Sequence, residues 1–391
     1  MTVPTLNNLD VAGRTVLLRA DLNVPMRDGR VSDATRIERT LPTIRELASQ
    51  GARVVVLSHL GRPKGKPSPE LSLRPIAEAL ADALVAPVAF AAEDPAAVVA
   101  GLPAGGVALL ENLRFDPGEE ANDPDFAARL AAFGDFYVND AFSAAHRAHA
   151  STEALARLLP AAAGRLMQRE IEVLEVALNA PKRPSGAIVG GAKVSTKLSL
   201  LGNLVARVDM LAIGGGMANT FLHAQGVEVG RSLCERGLAA LARTILDDAE
   251  ACGCTVVLPK DAVVAPTLEA GASTEVVAID EVSPDAMILD IGPGSIADLI
   301  DRLGLLRSLV WNGPLGAFEV PPFDRGTNEV AQAAADMKGL LTVAGGGDTV
   351  AALAQAGVVE RFGYVSTAGG AFLEWLEGQI LPGVAVLEGR A

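Results

Sequence analysis

Apolar, largely β-branched runs of four or five residues alternate along this chain with longer segments whose apolar positions recur every three or four residues. In the first half the short runs predict strands from Thr15 to Leu18, Arg53 to Leu57, Val107 to Leu110 and Phe136 to Val138. The wider spacing predicts amphipathic helices from Ala34 to Ser49 and from Leu73 to Leu84, with Asp33 placed to cap the first. Strand followed by helix, repeated, implies a parallel sheet covered on both faces.

The second half repeats the pattern with glycine after each run: GAIVGGAKV, DMLAIGGGMANT, MILDIGPGS, LVWNGPLGAF, LLTVAGGGDTV and YVSTAGGAF. One such glycine pair is an ordinary tight turn from strand to helix. Six together favour a surface where backbone approaches a ligand, because open parallel sheets bind beyond the carboxyl ends of their strands. Between the halves, a helical pattern from about Ala150 to Arg183 contains RLMQREIEVLEVALNA and ends in the turn-forming PKRPSG. The expected division is a first domain over 1–165, an interdomain helix and linker over 166–183, a second domain over 184–377, and a tail over 378–391 that folds back onto the first.

Composition supports two domains, since 391 residues exceed what one core of ordinary size accommodates. Acidic residues outnumber basic ones by 47 to 33, and the resulting charge of −14 opposes broad attraction to nucleic acid or anionic lipid. Any anion site must therefore be local. The opening MTVPTLNNLDVAGRT has neither a basic leader nor an apolar h-region, so the expected location is cytoplasmic. Cys234, Cys252 and Cys254 read as reduced thiols, because Cys252 and Cys254 have no second pair to complete a metal site.

Cationic and hydrogen-bonding residues collect just after the first-half strands: Arg19, Asp21 and Asn23, then His59 and Arg62, then Arg114, then His146, Arg147 and His149. Arg36 lies near the start of the first helix. A lone arginine reads as solvated surface, but a set on one rim of an acidic protein suits phosphate and carboxylate. A histidine-metal site is disfavoured, as HRAH has no adjacent cysteine or evident carboxylate. In the second half GGAKVSTK holds Lys193 and Lys197, expected to share one helical face, with a solvated face as the equal alternative. It is not a Walker A loop, and no strand leads into GxGxxG. GGGDT, from Gly345 to Thr349, offers backbone N–H groups at a helix start. There Asp348 is either a magnesium ligand or a plain N-cap.

Taken in order, RADLNVP, SHLGRPKG, ENLRF, NDAFSAAHRAHAS, GAKVSTKL, GGGMANTFL, WNGPLGAFE, GGGDT and YVSTAGGAFLEWLEG resemble the blocks of the phosphoglycerate kinase family, from about Leu9 to Val386. The resemblance implies an α/β protein of two doubly wound, Rossmann-like parallel-sheet domains facing a cleft and joined by an interdomain helix. It implies that Asp21, Asn23, Arg36, His59, Arg62, Arg114 and Arg147 hold the phosphoglycerate, with His146 and His149 supporting the patch. Lys193 and Lys197 would reach the nucleotide phosphates, Asn312 would border the adenine, and Glu319 would bind the ribose. Gly345, Gly346, Gly347 and Thr349 would cradle phosphate, with Asp348 on Mg2+ brought as MgATP or MgADP. Arg36, Lys197, Gly369 and Gly370 would form the transfer centre. One departure is Ala368, where the family usually has glycine; a required positive φ there would cost about 1 kcal/mol.

The implied reaction interconverts 1,3-bisphosphoglycerate plus MgADP with 3-phosphoglycerate plus MgATP. Its acceptor is a carboxylate, ionised already at neutral pH, so no general base is required. The resemblance implies a hinge-bending monomer with no nucleic-acid or membrane partner. Another acyl-phosphate kinase would share the nucleotide features but need not carry the first-half arginines. A two-lobed anion-binding protein without catalysis is the remaining alternative.

Overall fold

The structure, a computed structural model, describes residues 3–389. The two residues at each end, which the expected first domain and tail include, lie outside the described residues. The chain forms two compact units, one comprising residues 3–172 with 380–389 and the other residues 173–379.

The first unit is built on strands β1 Thr15–Arg19, β2 Arg53–Leu57, β3 Val88–Ala91, β4 Val107–Leu110, β5 Phe136–Asn139 and β6 Ala161–Ala163. They form one parallel sheet in the order β3-β4-β2-β1-β5-β6. Every residue of β1 is buried, as a strand covered on both faces demands. Val16, Leu18, Val54 and Val56 pack on one face with Ile37, Ile44 and Leu47 of helix α1 (Thr35–Ser49) and with Ile76 and Leu80 of α2 (Arg74–Leu84). Each such side chain contributes about 1.5–3 kcal/mol on full burial. The sheet order reverses direction between β1 and β5, and the crevice beyond their carboxyl ends is where such folds take ligands.

Three expectations change here. Helix α1 starts at Thr35 with Ala34 at the cap position; Asp33 instead accepts the Thr35 N–H through its side chain at 2.8 Å, one residue further out. The helical pattern expected from Ala150 is interrupted, because Ala161–Ala163 pairs with Tyr137 to Asn139 as β6. Alanine favours helix locally, and tertiary pairing overrides it. The helix α3 (Arg165–Leu174) follows, and the boundary between the units falls within it, after residue 172. Near the C-terminus, Gly383 N–H donates to the Ala145 carbonyl at 2.8 Å inside the first unit.

The second unit contains β7 Ser185–Val189, β8 Met210–Ile213, β9 Thr255–Val257, β10 Asp261–Ala265, β11 Glu275–Ala278, β12 Met287–Ile291, β13 Ser308–Asn312, β14 Leu341–Gly345 and β15 Tyr364–Ser366. Six form a parallel sheet ordered β9-β8-β7-β13-β14-β15, doubly wound with its switch point between β7 and β13. The MILDIGPGS run belongs elsewhere: β12 pairs antiparallel with β10 in a separate three-stranded sheet. Five of the six glycine-marked runs therefore end strands of the parallel sheet. Helices α4 (Leu198–Val205), α5 (Gly215–Ala224), α6 (Gly347–Gln355) and α7 (Gly370–Leu376) start close to these strand ends. Among the described residues no helix is long and apolar enough to cross a membrane.

Candidate active site

In the first unit, Arg19 ends β1 and is 1% exposed. Its Nε donates to Ser151 Oγ at 2.8 Å, one terminal nitrogen donates to the Ala20 carbonyl, and the other lies 3.0 Å from His59 Nδ1. Two residues on, Asp21 receives the Arg36 guanidinium and the Ser143 hydroxyl on one oxygen, and the Asn23 N–H at 3.1 Å on the other. Burial alone would raise the Asp21 carboxyl, but Arg36, His59, Ser143 and Asn23 together hold it below the usual range. The contact from Asp21 to Ser143 crosses the switch point, joining the loop after β1 to that after β5.

The loop after β2 is tied in at both sides. Gly61 N–H donates to Asn23 Oδ1 at 3.0 Å, and buried Arg114 donates to the Gly61 carbonyl at 2.8 Å. Arg114 Nε also lies 3.2 Å from Glu120. Arg147 Nε donates to His146 Nε2 at 3.1 Å, and Arg62 is exposed on the same loop as Gly61. Burial, then Arg19, pushes His59 well below its ordinary value, with Arg114 and Arg147 adding to this against Asp21. Burial, then Arg114, Arg19, Arg147 and His146, holds His149 at about 4, and His146 is lowered by burial and Arg147. The histidines are thus neutral hydrogen-bonding groups near neutral pH, and the cations of the patch are its arginines.

In the second unit, Lys197 lies at the switch point. Its Nζ donates to the Gly190 carbonyl at 2.7 Å and to Asn312 Oδ1 at 2.6 Å, linking the ends of β7 and β13. Burial lowers its ammonium to about 8, and nearby Asp348 opposes that shift. Lys193 does not share a helical face with it: the turn Val194–Thr196 separates them, α4 begins only at Leu198, and Lys193 is exposed.

Beside this lysine is a cavity of about 320 Å3 that includes backbone of Gly191, Gly215 and Gly216, the apolar side chains of Leu233, Leu289 and Leu315, and the carboxylates of Glu319 and Asp348. An apolar slot with a few polar groups suits a flat aromatic ring carrying a polar extension. Asp290 lies on its wall, accepting N–H bonds from Gly326 at 2.7 Å and Ile291 at 2.9 Å, with burial first and then Asp324 and Glu329 raising its carboxyl to about 7.

The GGGDT residues separate by role. A side chain on Gly345 would press on the Phe372 ring at 2.7 Å, and one on Gly346, at φ +98°, would reach Asn312 at 2.6 Å. The Thr349 hydroxyl is occupied, accepting the Gly313 N–H at 2.7 Å. Gly347 and Asp348 are the exposed members, in the first turn of α6. Asn312 is buried and does not line the cavity; its Nδ2 donates to the Gly345 carbonyl at 2.8 Å while its oxygen holds Lys197. Gly369 has φ +54° just before α7, whereas Ala368 is buried without positive φ, so the alanine carries no backbone strain. The wall from Gly215, Gly216, Leu233 and Leu289 was not among the candidate site residues; the runs GGGMANT and MILDIGPGS signalled Gly215, Gly216 and Leu289, and nothing signalled Leu233.

An arginine-rich patch at one switch point, and a lysine beside a glycine-walled cavity at another, are the arrangement an α/β phosphotransferase for a small anion and a nucleotide requires. The family model described as phosphoglycerate kinase matches residues 6–379, and the chain belongs to that family. It is 60% identical to a phosphoglycerate kinase of Ruegeria sp. (strain TM1040), over 98% of this chain and 99% of the relative. It is 63% identical to one of Methylorubrum extorquens (strain PA1), over 97% and 96%. The solved phosphoglycerate kinase of Coxiella burnetii superposes with a TM-score of 0.95 at 43% identity, covering 100% of both chains. The activity is reversible phosphoryl transfer between 1,3-bisphosphoglycerate and ADP, giving 3-phosphoglycerate and ATP, a glycolytic step.

Proposed function

We propose that the arginine-rich site beyond β1, β2 and β5 holds the phosphoglycerate, and that the glycine-walled cavity with Lys197 and the start of α6 holds the nucleotide. The observation that carries this is Lys197, a half-buried ammonium held between two strand ends beside Asp348. Its three donors can pass from carbonyl oxygens to phosphate oxygens without moving far. Arg36, Asp21, Asn23, His59, Arg62, Arg114 and Arg147 then contact the acid, and Glu319 meets the ribose end of the cavity.

Among the described residues no three His, Cys, Asp or Glu side chains cluster as metal ligands. A lone exposed carboxylate, Asp348, fits magnesium that arrives with the nucleotide, since that ion takes one or two carboxylates and completes its shell with phosphate oxygens and water. Bound there, magnesium supplies charge neutralisation on the phosphate oxygens.

In the ATP-consuming direction a carboxylate oxygen of 3-phosphoglycerate forms a bond to the terminal phosphorus as the bond to the bridging oxygen breaks, and ADP departs with that electron pair. No proton moves. Arg36 and Lys197 serve by offsetting charge on the equatorial oxygens, and Gly369 and Gly370 add N–H groups at the start of α7. Transfer also requires that water be excluded, since water would hydrolyse the acyl phosphate. A net charge of −14 favours a dispersed monomer, and the cytoplasm is the proposed location.

Titration calorimetry on Asp348→Ala tests the assignment. The variant is expected to bind MgADP at least about tenfold more weakly and 3-phosphoglycerate unchanged. Equal weakening of both ligands would make Asp348 a structural cap.

A further inference from the structure

Behind the arginine patch is a polar chain with no exposure to speak of. Glu119, Ser151 and Tyr137 are 0% exposed, Arg19 is 1% and His59 is 6%. Ser151 presents both of its donors to one carboxylate: the hydroxyl donates to Glu119 Oε1 at 2.6 Å and the backbone N–H to Oε2 at 3.0 Å. With its proton committed to Glu119, the Ser151 oxygen can only accept on its other side, and Arg19 Nε donates to it at 2.8 Å. Tyr137 fixes the same segment by donating to the Ser151 carbonyl at 2.7 Å. The far end of the Arg19 guanidinium lies 3.0 Å from His59 Nδ1.

Arginine has no acceptor atom, so that last contact fixes a chemical state: His59 Nδ1 accepts, and the single ring proton must be on Nε2. Among the described residues, this contact with Arg19 is the hydrogen bond that selects between the two neutral tautomers. The charges that face His59 are Arg19, Asp21, Arg114 and Arg147; those near Glu119 are Arg114 and, through Ser151, Arg19, while the neutral His149 ring lies 4.0 Å away. A buried carboxylate without an arginine partner, or the arginine without it, would leave an uncompensated charge inside the unit. The relay is therefore a matched set, and it spans positions far apart in sequence that meet only in the fold.

We propose that Glu119 is a positioning residue for the transfer reaction: through the Ser151 hydroxyl it orients Arg19, and Arg19 holds His59 as the neutral tautomer that donates from Nε2 to an oxygen of the bound phosphoglycerate. This rests on the assignment of His59 to the substrate made above. The tautomer matters because a donor at Nε2 favours an anionic oxygen, whereas the other tautomer would present a lone pair to it and repel it. Neutrality matters as well, since a donor that does not titrate near pH 7 keeps its contact unchanged across the working range.

The test is 15N NMR of histidine ring nitrogens in the full-length protein, read from about pH 5.5 to about 8, alongside steady-state kinetics. In the unsubstituted chain His59 is expected to show a protonated Nε2 and a bare Nδ1 throughout. Ser151→Ala removes the bridging hydroxyl with little change of volume, and Glu119→Gln removes the charge while keeping the shape. In either variant the His59 signals are expected to move toward a mixture of tautomers, and KM for 3-phosphoglycerate to rise about tenfold while kcat and KM for MgATP stay within about twofold. If Glu119→Gln does not fold, Ser151→Ala alone carries the comparison. Unchanged His59 nitrogens in a folded Ser151→Ala protein would overturn the relay, whatever the kinetics. His59→Gln provides the separate control: unaltered phosphoglycerate affinity in that variant overturns the assignment of His59 to substrate, and with it the functional half of the proposal, while the nitrogen spectra still report on the relay itself.

Discussion

The ammonium of Lys197 lies 2.6 Å from the side-chain oxygen of Asn312, whose amide nitrogen in turn donates to the Gly345 carbonyl at 2.8 Å. Three neighbouring strand ends of the second unit, β7, β13 and β14, are thereby clamped around one half-buried cation. Asn312 is thus a brace for the lysine.

That geometry sets a pH dependence. Burial holds the Lys197 ammonium at about 8, below its ordinary 10.5. The unfolded chain binds the additional proton between those two values, so this group's contribution to stability rises with pH across that window. Phosphate oxygens at the ammonium favour the charged form, so nucleotide binding above the lower value should recover a proton. Calorimetry of MgADP binding at about pH 8.5, in two buffers of different ionisation enthalpy, is expected to show net proton uptake that Lys197→Met abolishes. Absence of uptake in the unsubstituted protein would contradict this account.

The glycines of GGGDT should divide by experiment as they do by geometry. Gly346→Ala forces a side chain into positive φ and against Asn312, and is expected to destabilise the second unit by about 1–3 kcal/mol. Gly347→Ala meets nothing within 4 Å and has ordinary φ, so its thermal midpoint should hold while MgADP affinity falls. Loss of stability without loss of affinity in Gly347→Ala would remove the phosphate role from that position.

Asp140 offers a test of the connecting helix. Its carboxyl is fully buried, with one oxygen accepting from Leu166 N–H at 2.8 Å and Met167 N–H at 3.1 Å, the other without a partner. Burial raises it to about 6, against the Thr43 hydroxyl and these two N–H groups. A raised folded value means stability from this group is complete below 3.8 and is lost as pH rises through about 6. Asp140→Asn keeps the accepting oxygen and cannot ionise. Its unfolding free energy from urea titration, relative to the unsubstituted chain, is expected to be higher at about pH 7.5 than at about pH 5, by on the order of 1–3 kcal/mol. An equal difference at the two pH values would mean Asp140 does not titrate there.

How much of this was legible beforehand depends on how local each signal is. Arg53 to Leu57 reads as a strand because a valine-rich run has one sensible fate, and the structure returns the same bounds. Ala161–Ala163 is unreadable, as its strand state comes from pairing with β5 and, at Ala163, with the segment at Pro4 and Thr5, all distant in sequence. The arginine rim was visible as residue types after strands, and Arg114 and Arg19 do converge on His59. Glu119 and Ser151 were invisible: the bond between them spans 32 positions, and that from Arg19 to Ser151 spans 132. Lys193 and Lys197 misled in the opposite way, since four-residue spacing signifies a shared face only where a helix exists.

The central claim is that transfer proceeds by positioning and charge neutralisation, with Arg36, though it borders the acid, acting mainly in the transition state rather than in ground-state affinity. Its guanidinium is paired with Asp21, an ion pair that must open or be shared when the phosphoryl group arrives. The direct measurement is kcat together with the 3-phosphoglycerate dissociation constant for Arg36→Ala and Arg62→Ala under one salt condition. Arg36→Ala is expected to lose on the order of 10²-fold in kcat with nearly unchanged affinity, while Arg62→Ala weakens affinity and keeps turnover. Normal turnover in Arg36→Ala with poor binding of 3-phosphoglycerate would contradict it.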